Sequence, residues 1–338
     1  MKRLFTKLAL ASAAIITLTI SPAAAQIFVN CDEGGSIQDA LNAQDWAPRA
    51  DVEFVGTCNE QVTLWNNRTT ITGLEEATIN GQIRMFGPLN ATLRNMTITG
   101  PGQGITIASG RIRAFDVNLV ENDGYGISAS GGATVRLSRG SVMNNGGPHG
   151  IMLENSSLLF NETQLSGHPD LGIAAVHNSS VIVYGGSISE NHRGIYANLG
   201  SSVEVSDSQV TYNAVDGIHL SNSTARVTNT IIEHNNGQGI DVNDGSFAVV
   251  FGGSINDNAE TGLYVVNHSF VRVVGTVIRD NVEYGIQLLN DSGAHVSEAA
   301  HIPENLSGWA VFCNGKEAGL EVGESAVVGR IKCPDPKF

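Results

Sequence analysis

Apolar residues recur along this chain in short alternating runs, three to a repeat, without the three-to-four-residue spacing of an amphipathic helix. One run in each repeat opens with a glycine followed by an apolar residue. The series is Gly104-Ile105, Gly126-Ile127, Gly150-Ile151, Gly172-Ile173, Gly194-Ile195, Gly217-Ile218, Gly239-Ile240, Gly262-Leu263, Gly285-Ile286 and Gly308-Trp309. Its intervals of 22 to 24 residues predict a solenoid, in which each repeat buries its apolar face only by stacking on its neighbours.

Residues 217–235 show the internal pattern: Ile218-His219-Leu220, Ala225-Arg226-Val227 and Ile231-Ile232-Glu233, separated by Ser, Asn and Gly turns. Side chains alternate across a strand, so Ile218 and Leu220 are expected inside and His219 outside. Three strands in about 22 residues predict a right-handed parallel β-helix with coils about 4.8 Å apart. A left-handed helix would show a hexapeptide period, and propeller blades would need about 40 residues. Before the regular coils, Ser36 to Trp46 is predicted as a helix, with Ser36 as N-cap and Ile37, Ala40 and Leu41 on one face. Less regular strands are expected at 52–55, 62–64, 70–72, 78–79, 83–85 and 91–93.

The N-terminus adds a location. Lys2, Arg3 and Lys7 precede an apolar run from Leu8 to Ile20, and Ala23-Ala24-Ala25 offers a cleavage site. This predicts a secretory signal peptide and a protein secreted or exported to the periplasm. The run is shorter than the roughly 20 residues of a membrane span, and no later segment is long and apolar enough. The expected division is 1–25 signal peptide, 26–60 N-terminal cap, 61–310 β-helix and 311–338 C-terminal cap. Without the signal's three basic residues the formal charge moves from -14 to -17, which argues against nucleic acid as a partner. No lysine stands between Lys7 and Lys316, so a cationic site in the repeats must use arginine or histidine. In an exported chain four cysteines read as two disulfides. Three connectivities are open, and nearness along the chain favours Cys31 with Cys58 and Cys313 with Cys333, one in each cap.

In a stacked solenoid, equivalent positions form columns. Asn122, Asn145, Asn191, Asn213, Asn235, Asn258 and Asn281 form one, expected to be structural through coil-to-coil hydrogen bonds. The outward column of the first strand reads Thr106, Ser128, Met152, Ala174, Tyr196, His219, Asp241, Tyr264, Gln287. The column before the glycine reads Gln103, Tyr125, His149, Leu171, Arg193, Asp216, Gln238, Thr261, Tyr284. Together they gather Arg193, Tyr196, His219 and Asp241 on one face as candidate catalytic residues, with Tyr264, Asp216 and His149 as candidate substrate contacts. Proton abstraction at C5 of a uronic acid needs a cation for the sugar carboxylate, a base, and an acid. Arg193 would neutralise, His219 would act as base oriented by Asp241, and Tyr196 or Tyr264 would donate. A column beside the asparagines carries Asp257 and Asp280 on adjacent coils, which a hard cation such as calcium would bridge. A solvated acidic edge explains the same pair without an ion.

The repeats, with Ser36-Ile37-Gln38-Asp39-Ala40-Leu41, Gly56-Thr57-Cys58 and Thr70-Ile71-Thr72-Gly73, resemble the secreted pectate-lyase-like β-helix superfamily, with carbohydrate-binding and sugar-hydrolase type repeats, over nearly all the mature chain. That resemblance implies a polysaccharide partner, acidic where the site is a lyase or epimerase. Alginate C5-epimerases of this fold carry Asp-Pro-His-Asp after the Gly-Ile. Here Asp241 and Asp244 match the acids, while Val242 and Asn243 replace Pro and His, leaving His219 one coil away. The expected function is a monomeric exported protein acting on or binding polysaccharide, as a uronate lyase or C5-epimerase. The competing class is a non-catalytic carbohydrate-binding, adhesion or envelope solenoid.

Overall fold

The computed structural model of the protein describes residues 26–44, 49–297, 299–314 and 318–333. The signal segment and Trp46 lie outside the described residues. The chain is an all-β parallel solenoid with one short helix, Ile37–Ala43, near its start. The strands that follow each glycine form a 13-stranded sheet, the first face, running from Val62–Leu64 to Ile331–Lys332. The second and third strands of the coils belong to one 25-stranded sheet, because Asn90–Gly100 and Arg111–Asn122 each run through both faces without a break.

Register along the first face follows the repeat. Ile105, Ile127, Ile151, Ile173, Ile195, Ile218, Ile240, Leu263 and Ile286 pair in succession, and all are fully buried. Ile218 and Leu220 point into the core and His219 outward, as alternation requires. The coil after Gly285 departs from the expected series. Ile286 pairs with Val311, so Ala310-Val311 occupies the glycine-isoleucine position and Gly308-Trp309 does not. Gly308, at φ +82°, serves the turn instead.

The glycine is set by crowding and not by backbone angle. A Cβ on Gly239 would stand 2.6 Å from the carbonyl oxygen of Gly262 and 3.0 Å from Nδ2 of Asn258. The Ile255 side chain, at 2.5 Å, presses closest, and the asparagine column closes the remaining side. Asn235 donates from its backbone N–H and its Nδ2 to Asn258 Oδ1, at 3.1 and 3.0 Å, and each rung repeats the pattern to Asn305. Between Asn145 and Asn191 the rung is His168, which is 2 % exposed. Its Nδ1 lies 2.9 Å from Asn191 Oδ1 and its Nε2 3.2 Å from Asn145 Nδ2, so the Nδ1–H tautomer donates one way and accepts the other. Burial lowers its pKa, which keeps it neutral and able to do both. A second ladder of serines, Ser223 N–H to Ser246 Oγ and Ser246 N–H to Ser269 Oγ, satisfies the turn after the first strand.

The ends are closed as the chemistry of a solenoid demands. The helix buries Ile37, Ala40 and Leu41 on the first coil, and Ser36 Oγ accepts the Asp39 N–H at 3.1 Å. Its first amide groups are held by Glu60, whose carboxylate accepts from Ile37 at 2.7 Å and Gln38 at 3.2 Å. The disulfides are Cys31–Cys58 and Cys313–Cys333. The second joins the last strand to the one beneath it.

Candidate functional site

On the first face the strands Arg193–Asn198, Ile218–Ser221, Ile240–Asn243 and Leu263–Val265 place Tyr196, His219, Asp241 and Tyr264 side by side in register. Arg193 and Asp216 enter from the edge just before the glycines. Arg193 Nε donates to Asp216 Oδ2 at 3.0 Å, and the other Oδ of Asp216 accepts the Gln238 backbone N–H at 3.1 Å. His219 Nδ1 lies 2.8 Å from Asp241 Oδ2 and 3.5 Å from Asp216 Oδ2. These are close ion pairs without well-aligned hydrogen bonds, and Asp241 Oδ1 is buried with no hydrogen-bond partner. The Tyr196 ring stacks on the His219 ring at 5.3 Å, and its hydroxyl oxygen accepts from Asn198 Nδ2 at 2.7 Å.

The electrostatics decide the state of the histidine. Burial alone would lower its pKa, but Asp216 and Asp241 outweigh that and raise it to about 9. His219 therefore stands as an imidazolium near neutral pH, offering a charge and a proton instead of a lone pair. Asp216 is raised by burial, yet His219, the Gln238 N–H and Arg193 bring it below the usual carboxylate range. Asp216 is thus shared by two cations and fixes both. Arg193 commits only Nε to it, leaving its remaining N–H donors for a ligand.

Four polar residues, Gln238, Thr261, Glu260 and Glu283, extend the site beyond the candidate residues of the sequence. Gln238 receives the Thr261 N–H at 2.8 Å and donates to Glu260. Thr261 Oγ1 donates to Glu283 at 3.2 Å. Burial first, with Glu283, Asp216 and Asp241 behind it, raises the Glu260 carboxyl, and burial with Asp241, Glu283 and Glu260 raises the Tyr264 phenol. Glu260 and Glu283 occupy equivalent positions two residues before Gly262 and Gly285, a column that inspection of turn positions would have found.

His149 lies toward the N-terminal end of this face. It stacks on Tyr125 at 5.5 Å, with Asp170 at 3.7 Å from its Nδ1. Burial outweighs Asp170 and lowers its pKa, the opposite of His219. Register separates it from Arg193 by one intervening coil, through Leu171. The structure thus joins Arg193, Tyr196, Asp216, His219 and Asp241 directly, with Tyr264 one coil on and His149 apart.

Asp257 and Asp280 are not gathered into one ligand set among the described residues. Their column, with Glu121, Asn144, Glu190, Tyr212 and His234, is a left-handed turn position with φ between 52° and 57°. Asp280 is ion-paired with Arg279, whereas Asp257 lies with Glu233 and His234, ligand atoms within 4.8 Å. An exposed set with an imidazole in it does not suit a hard cation that takes oxygen ligands. At Asp216, His219 and Asp241, Arg193 and the imidazolium already supply the positive charge. A depression of about 370 Å³ lies elsewhere, on the second face, among Ile182, Glu204, Arg226 and Phe247.

The sequence matches the family model described as right handed beta helix region over 81–228, 147–278 and 187–318. These overlapping spans cover more than half of the chain, and the chain belongs to that family of right-handed β-helices. No match to a curated protein is found. Among solved structures, the Azotobacter vinelandii mannuronan C-5 epimerase AlgE4 A-module is similar with a TM-score of 0.71 at 14% identity, covering 86% of this chain and 99% of that one. The periplasmic alginate epimerase AlgG gives 0.53 at 11% identity, over 90% of this chain and 83% of that one. The catalytic domain of a GH87 alpha-1,3-glucanase gives 0.51 at 13%, over 90% and 68%. At these identities the likeness carries the fold alone.

Proposed function

We propose that this is an exported polysaccharide-active β-helix protein that acts on a uronate residue at C5, as a lyase or an epimerase, at the face around Arg193, His219 and Asp241. The observation that carries the reading is the paired cations, Arg193 and His219, held by buried Asp216 and Asp241 beside Tyr196. Two fixed positive charges suit a sugar carboxylate, and they stabilise the negative charge that grows on it when the C5 proton leaves. In this scheme Arg193 and the imidazolium of His219 clamp the carboxylate, and Asp216 and Asp241 position them. Tyr196, as a phenolate whose oxygen accepts from Asn198, takes the C5 proton; in epimerisation Tyr264 returns a proton to C5 from the opposite face, and in elimination it protonates the departing C4 oxygen as the C4–C5 double bond forms. The structural neighbours, alginate epimerases and a glucanase, support a polysaccharide as the substrate. The N-terminal segment and the disulfides support export.

The test is incubation with mannuronate, guluronate and galacturonate polymers. Ultraviolet absorbance of an unsaturated product reports elimination, and proton NMR reports inversion at C5. Arg193→Ala and Tyr196→Phe should each abolish turnover. Silence in both assays across the panel sinks the catalytic reading. The acidic neighbours Glu260 and Glu283 favour a second reading, a non-catalytic solenoid that binds a neutral glycan. Binding of neutral oligosaccharides with no turnover of any substrate is the result that selects it.

A further inference from the structure

The first face does not end at Tyr264. Its outward column continues through Gln287 to Phe312 and then Lys332, in strand register. The column before the glycines continues from Tyr284 to Trp309. Tyr284 stacks on Phe312 at 4.6 Å with the rings 17° apart. The Arg330 guanidinium lies 4.3 Å from the Trp309 ring centroid, and Lys332 Nζ lies 5.0 Å from that of Phe312 and 5.9 Å from that of Trp309. Both cations are exposed.

A shared aromatic platform sets them apart. Arg139, Arg193 and Arg279 each pair with an aspartate; Arg330 and Lys332, like Arg84 and Arg94, make no such ion pair among the described residues, and they alone of these share one aromatic cluster on the first face. Lys332 is one of very few lysines in a chain of formal charge -14. The aromatic rings restrain both side chains, so less rotamer freedom is lost when an anion binds. The strand Ile331–Lys332 is itself tied down, because Cys333 is bonded to Cys313 beside Phe312.

We infer that Arg330 and Lys332, presented on Trp309, Phe312 and Tyr284, form a distal subsite for a carboxylate-bearing sugar of the same polysaccharide chain that occupies the His219 site. The inference rests on the uronate reading above. Lys332 is five strand spacings from His219, about 24 Å along the axis. A chain must be long enough to span that distance before it gains the subsite, so the protein discriminates by length. The acidic Glu260 and Glu283 lie between the two cationic positions, so the polymer would be anchored at the two ends of this stretch of the face.

Calorimetric titration with oligomannuronate and oligogalacturonate, each in a short form and in one longer than the span, tests this. The wild-type protein should bind the long form about tenfold more tightly, the equivalent of one good charge-assisted contact. The double variant Arg330→Gln/Lys332→Gln should lose that advantage and bind the short form unchanged. Arg330→Lys/Lys332→Arg, which keeps both charges, should recover most of it. Neutral glucan oligomers should show no difference between the proteins. A Gln variant that keeps the length preference overturns the subsite, as does an equal loss for short and long forms. Wild-type protein that binds neither uronate overturns the underlying uronate reading with it, whereas turnover at the His219 site with no length preference overturns the subsite alone.

Discussion

At the scale of single residues, burial pushes two histidines on one face downward, and their carboxylate neighbours decide that they end on opposite sides of the ordinary value. His149 has one aspartate at a distance and is pushed down, while His219 has two close ones and rises to about 9. Asp241→Asn should therefore lower the His219 midpoint markedly, as followed by NMR titration of the ring protons. A midpoint that stays near 9 would show that Asp216 and not Asp241 holds the proton. The sign for stability follows from linkage. A folded pKa above the ordinary value of 6.5 stabilises fully below about pH 6.5, and the contribution is lost as pH rises through about 9. Turnover that needs the imidazolium should fall over that same upper limb. A rate that climbs toward pH 9 instead would return His219 to the role of base that its sequence context suggests. This difference was beyond the reach of the sequence, because it depends on Asp216 lying within 3.5 Å of the ring as well as Asp241. The columns aligned these residues but gave no side-chain direction.

At the scale of the coil, the repeat is legible because it is enforced twice, by the glycine and by the asparagine that packs on it. Gly239→Ala places a methyl group against the Ile255 side chain, the Gly262 carbonyl and the Asn258 amide; the carbonyl is held by the Ile240 N–H and the amide by its rung to Asn281. The cost should be about 1–3 kcal/mol, the range for overpacked interiors, read as a fall in unfolding midpoint with unchanged denaturant slope. The same logic explains what the repeat hid. His168 falls outside the asparagine series of the sequence, yet imidazole can donate and accept in opposite directions as an amide does. His168→Asn should keep near-wild-type stability and His168→Leu should cost about 1–3 kcal/mol, since Leu leaves buried Asn145 and Asn191 groups unpaired. Equal melting of both variants would deny the rung its hydrogen-bonding role. Ala310 in the glycine position of the coil after Gly285 was missed for a related reason. The column requires a small residue, and the nearby Gly308 satisfied the pattern while serving the turn.

At the scale of the molecule, the fold was legible almost throughout and the candidate site only as an alignment. A solenoid repeats one local decision, so each coil confirms the last and the period fixes the architecture. A binding face is assembled once, from residues such as Arg193 and Asp241 that belong to different coils, and no repeat reports on whether they touch. Quasi-one-dimensional order also has a consequence for unfolding. Coils contact only their neighbours, so stability at an end depends on what seals it. Cys313–Cys333 closes a separation of 20 residues, and a crosslink of that size contributes about 3 kcal/mol in the chain-entropy account. The double variant Cys313→Ser/Cys333→Ser should lose hydrogen-exchange protection first in the strands Trp309–Asn314 and Ile331–Lys332, while the amides of Ile218–Ser221 keep theirs. Because Lys332 and Phe312 ride on those strands, the same variant should lose the length preference for uronate oligomers and keep the chemistry at His219. Loss of protection spread evenly along the chain would mean that the solenoid melts as one unit, and that its two ends are energetically coupled through every coil between them.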